Sequence, residues 1–101
     1  MNTEQRQFLS LPRYPARLSA QEAAWYLGIQ EHDVRILVAA KLLKPLGRPA
    51  ENGPKSFATA ALEELRSDVR WLDRASETIT EHWRKRRGSR RNQHNAEAHH
   101  E

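Results

Sequence analysis

The apolar positions between Leu18 and Leu43 follow a helical period twice, with a break between the two runs. Ala23, Ala24 and Leu27 put small and apolar groups on one face, and Val34, Leu37 and Val38 repeat that at i, i+3 and i+4. The first run opens at Ser19, a good N-cap, and Glu22 three residues on completes a capping-box pattern. Gly28 ends it, because glycine enters the left-handed C-cap conformation without strain. Ile29 is placed to plug the turn. The second helix is expected from about Gln30 to Ala40. Two short helices joined at a glycine predict a helix-turn-helix, whose second helix suits a DNA groove.

The flanks read differently. Residues 1–17 are polar and broken by Pro12 and Pro15, which predicts an arm with no strong helix signal. Phe8, Leu9, Leu11 and Tyr14 are more apolar than a free tail needs, so the arm is expected to pack along the folded unit. The alternative is a basic arm on DNA through Arg6, Arg13 and Arg17. After Leu43, two extended pieces at about Leu43–Leu46 and Lys55–Ala58 flank GRPAENGP, which predicts a β-hairpin wing anchored by Phe57. Thr59 is expected to cap a third helix. Its apolar positions, Leu62, Leu65, Val69, Leu72, Ile79 and Trp83, are spaced 3, 4, 3, 7 and 4, with Ser76 in the missing place. That is an a/d seam over about three heptads. Its first half should pack on the winged unit; its second half should pair with another copy or run free. The expected organisation is an arm (1–17), a winged helix-turn-helix (18–70), a helical extension and possible coiled coil (71–87) and a disordered basic tail (88–101), mainly α in class.

Composition narrows this picture. The chain has 101 residues, of which 38% are hydrophobic and 30% charged, enough for one small core. The lack of cysteine excludes disulfides and Cys-based zinc sites and suits a reducing cytoplasm. The longest apolar run, Ile36–Ala40, is too short to span a bilayer, and the N-terminus has no apolar signal region. A net charge of +4, with a pI near 10.0, suits an anionic partner. The segment RKRRGSRR holds six basic residues in eight. It reads as a source of phosphate contacts or as a solubilising helix end.

With these motifs in view, LSAQEAAWYLGI, HDVRILV, KLL and KSFATAALEEL resemble the MerR-like, excisionase-type winged helix-turn-helix domains. The resemblance covers about Leu18 to Leu65. It implies double-stranded DNA as partner and a non-enzymatic role, either as a transcription regulator or as an accessory factor to a recombinase, in the cytoplasm on the nucleoid. Gln30, His32 and Arg35 would face the groove. Lys44, Arg48 and Lys55 in the wing, and Arg84, Lys85, Arg86 and Arg87 beyond it, would meet phosphates. Val69, Leu72, Ile79 and Trp83 would form a homodimer seam. The chain departs from the family pattern at Glu31 and Asp33, acids where the recognition helix often carries arginines, and at Lys41, where glycine is usual. Ile36 and Trp25 are apolar where polar residues are usual. These departures motivate the alternative of a protein-interaction module that kept the fold and lost DNA binding. Trp25 is expected either to meet a partner or to lie under the arm beside Tyr14. No catalytic constellation, cofactor motif or recognised metal site is present, His94, His99 and His100 lying in a polar tail.

Overall fold

Two capped helices form the centre of the molecule, seen in a computed structural model that describes residues 2–98, with side chains through residue 87. Helix α2 (Ala20–Leu27) starts at Ser19, whose hydroxyl accepts from the Glu22 N–H (3.1 Å) while the Glu22 carboxylate accepts from the Ser19 N–H (2.9 Å). It ends at Gly28, in the left-handed conformation at φ 78°. Helix α3 (Glu31–Ala39) follows after Ile29 and Gln30. Val34 and Leu37 are buried and Val38 is half-buried, so the inward face matches the period. Lys41, just past α3, takes a positive φ of 63°. A lysine there carries strain that a glycine would not, on the order of 1 kcal/mol.

The sheet departs from the expected hairpin. Strand β1 (Arg17–Ser19) pairs antiparallel with β2 (Ser56–Ala58), with Leu18 opposite Phe57. Both side chains are fully buried. The piece Leu43–Leu46 is not a strand; its tie to β2 is the Leu46 N–H donating to Ser56 O (2.8 Å). The reason is the chemistry of the two candidates. Pro45 has no N–H to give a ladder, while Leu18 between two polar residues offers one apolar face to cover Phe57. Arg17, expected in the arm, therefore belongs to the sheet.

The arm contains a helix that its prolines concealed. Helix α1 (Thr3–Leu9) is capped by Asn2, which accepts from the Gln5 N–H (2.7 Å). Phe8 is buried, 4.9 Å from the Tyr14 ring and 5.8 Å from the Trp25 ring. Tyr14 meets Tyr26 edge-on at 5.1 Å, and the Arg66 guanidinium lies 4.8 Å over Tyr26. The arm does pack on the unit, and Phe8 rather than Tyr14 covers Trp25.

The third helix is broken in two. Helix α4 (Thr59–Arg66) and α5 (Val69–Ala98) are separated at Ser67 and Asp68. Asp68 restarts the chain as a helix cap, its carboxylate accepting from the Trp71 N–H (3.2 Å). Thr59 is the first residue of α4 rather than its cap. Its N–H donates to Ala16 O (2.9 Å) and its hydroxyl to Pro15 O, so it fastens the segment before β1. The break turns the seam. Among the described side chains of α5, Trp71 and Ala75 are buried, Leu72 and Ile79 are partly buried against the core, and Val69 is 76% exposed. Within the expected extension, Trp71, Leu72, Ala75 and Ile79 thus pack in or against the core. The helical backbone of α5 continues to Ala98. Residues 88–98 were expected to be disordered, but Arg, Gln, Glu and Ala in that stretch are good helix formers. The rest of the expected tail, residues 99–101, lies outside the described residues. Among the described residues no helix is long and apolar enough to cross a membrane.

Candidate nucleic-acid interface

Helix α5 runs antiparallel beside α3. Trp71 Nε1 donates to Leu42 O (2.9 Å) just past the end of α3, and Trp83 Nε1 donates to Asp33 Oδ1 (3.4 Å) in its first turn. One side of α3 is therefore closed by α5, and the opposite side is open. The candidate residues divide between these two sides.

On the closed side, Asp33 is only 7% exposed. Its Oδ2 accepts from the Gln30 N–H (3.1 Å), capping its own helix, while Oδ1 receives Trp83. The His32 Nε2 lies 3.7 Å from the same Oδ1. The His32 ring meets Trp83 edge-on at 5.3 Å, and the His82 ring does so at 5.1 Å. Asp33 thus does not face the surface, although the resemblance put it where a recognition helix often carries arginines. His32 remains exposed but leans on α5, and Gln30 is the N-cap residue of α3.

On the open side, Glu31 and Arg35 are exposed and one helical turn apart. They line a shallow groove with Ser19 at the start of α2 and with Asn52, Gly53 and Lys55 of the loop before β2. No ion pair reaches Arg35 among the described residues. Lys55 is half-buried, and its ammonium donates to the carbonyls of Glu51 (2.9 Å) and Gly53 (3.4 Å), which shapes the loop. With the Gln21 amide oriented to satisfy both neighbours, its oxygen accepts from Trp25 Nε1 (2.6 Å) and its nitrogen donates to Glu31 Oε2 (2.8 Å).

The remaining cations are more dispersed. Lys44 is exposed and sits with Lys41 and Val38 on another side of Pro45, and Arg48 is exposed on the loop without a hydrogen bond or ion pair among the described residues. Arg84 is paired with Glu81 (3.0 Å), and the Arg86 guanidinium lies 5.8 Å from the Trp83 ring centre. Lys85 lines a second groove between α3 and α5, floored by Ile36, Ala39, Ala40 and Leu42, and Arg87 is exposed. Because Trp83 touches the first turn of α3, the run Arg84–Arg87 begins beside that turn.

The expected dimer seam is engaged within the chain. Leu72 and Ile79 pack on the core and Trp83 holds Asp33, leaving Val69 as the exposed member. Pattern reading could not place Gln21 and Asn52 at the groove, because both get there through tertiary contact. Among the described residues no three of His, Cys, Asp and Glu come together to hold a metal ion; the side chains of His94, His99 and His100 lie outside them. The chain matches no protein-family model, no curated protein and no solved structure.

Proposed function

We propose that the chain is a DNA-binding protein of the winged helix-turn-helix kind, acting by occupying or bending a site, without catalysis. In this reading the open side of α3 enters the major groove, and the loop that carries Arg48, Asn52 and Lys55 lies where a wing would, against the adjacent backbone. The carrying observation is the placement of Arg35. It stands exposed on the outward face of α3, free of an acidic partner among the described residues, at a groove shared with Lys55. The burial of Asp33 supports it too, since only one of the two acids faces outward. A net charge of +4 supplies the general attraction. The role is that of a regulator or of an accessory factor to a recombinase.

The test is duplex binding measured against salt concentration. Binding is expected to weaken steeply as salt rises, because phosphate contacts release counterions. Arg35→Ala is expected to lose discrimination among duplexes, and removal of residues 84–91 to weaken all of them alike. Failure of the intact chain to bind any duplex at low salt contradicts the reading. The rival, a dimerising interaction module, draws less support, since Leu72, Ile79 and Trp83 are engaged inside the chain.

A further inference from the structure

We infer that Glu31 and Arg35 form a paired base reader on the open side of α3, Glu31 accepting from a cytosine amino group and Arg35 donating to a guanine. The inference rests on the DNA-binding reading above and adds the bases that the site takes.

The carboxylate of Glu31 is exposed yet held. Trp25 Nε1 fixes the Gln21 amide, and Gln21 in turn donates to Glu31 Oε2 (2.8 Å). Trp25 is itself fixed by Phe8 of α1, 5.8 Å away. A chain of contacts from α1 through α2 therefore orients one oxygen and leaves Oε1 without a hydrogen bond among the described residues. That is the support a recognition group needs to be pre-organised.

Glu31 and Arg35 are also spaced to pair with each other along the helix, yet no ion pair joins them among the described residues. Gln21 holds the carboxylate, so the guanidinium remains available. Both groups face the groove that Asn52 and Lys55 complete.

The chemistry then selects the bases. A carboxylate in a DNA groove is repelled by phosphates and by acceptor edges, and is favoured only opposite an amino donor. Cytosine offers such a donor in the major groove. The amino group of adenine lies beside the N7 acceptor, which repels a carboxylate. Arginine fits the O6 and N7 acceptors of guanine. Four residues of helix rise about 6 Å. Base pairs are stacked about 3.4 Å apart. The two bases read should stand one or two steps apart.

The experiment is selection by the full chain from duplexes randomised over a central window, followed by binding of the enriched duplexes. The wild type is expected to enrich cytosine at one position and guanine one or two steps away. Glu31→Ala is expected to lose the cytosine preference, about tenfold in discrimination, while its affinity for arbitrary duplexes at low salt is kept or raised. Arg35→Ala is expected to lose the guanine preference. Gln21→Ala keeps the charge of Glu31 but releases it, and is expected to blunt the cytosine preference with the guanine preference intact. Circular dichroism of each variant checks that the helices are retained, and Gln21→Ala serves should Glu31→Ala fail to fold. If the wild type binds duplexes but Glu31→Ala keeps the same base preferences, the inference is overturned and the DNA-binding reading survives. If the wild type binds no duplex, both are overturned.

Discussion

Asp33 and Glu31 stand two residues apart in the first turn of α3, and the fold uses them in opposite ways. Two residues on a helix are about 200° apart. Asp33 therefore turns toward α5, where it caps its own helix and receives Trp83, while Glu31 turns toward the groove and is held by Gln21. The two acids carry the same formal charge but cannot have the same effect on an anionic partner. Asp33 presents little charge to the surface because it is 7% exposed and hydrogen-bonded. Of the two, Glu31 is the one exposed on the open side. The difference teaches that charge counted along a helix has to be resolved by face before it is set for or against binding an anion.

The comparison can be broken from the closed side first. Asp33→Ala removes a helix cap and leaves the indole N–H of Trp83 without its acceptor, so thermal unfolding should show a loss of about 2–3 kcal/mol. A change within measurement error would mean that Asp33 is not structural. Trp83→Phe keeps an aromatic ring beside His32 but removes the donor, and chemical denaturation should register a smaller loss, about 1 kcal/mol. At the far end of α3, Lys41→Gly relieves the positive φ and is expected to raise the melting temperature, by up to about 1 kcal/mol in stability. No rise, or a fall, would show that the lysine is held there by contacts that outweigh the strain. Glu31→Ala should change stability least, within about 0.5 kcal/mol as for an exposed position, so that any effect on duplex selection is read without a folding loss.

Much of the centre was legible because its causes are local. Ser19 and Glu22 cap each other three residues apart, Gly28 closes on Ala24 four residues back, and the period of Val34, Leu37 and Val38 already points inward. Helix α1 also had a local signal, Asn2 with Gln5 three residues on, and Pro12 and Pro15 lie beyond its end at Leu9. The break between α4 and α5 likewise had a signal in Asp68, a residue that caps better than it continues a helix. A seam carried through Asp68 takes its register from Val69, whereas the fold buries Trp71 and Ala75. The pairing of β1 with β2 was not legible, since Leu18 and Phe57 meet across two helices and a long loop. The candidate site divides in the same way. Arg35 followed from its place on the helix. The burial of Asp33 depends on Trp83, fifty residues away, and the holding of Glu31 depends on an amide in the preceding helix.

Backbone amide and indole N–H shifts of the isotope-labelled chain, followed as duplex DNA is added at low salt, test the division of α3 most directly. The residues expected to move are Glu31, Arg35 and Ala39 of α3 together with Asn52, Gly53 and Lys55 of the loop, while Trp71, Ala75 and the Trp83 indole stay in place. Shifts confined to the α5 side, with Arg35 and the loop unmoved, would contradict the assignment of the open side as the binding face. So would a spectrum unchanged by any duplex.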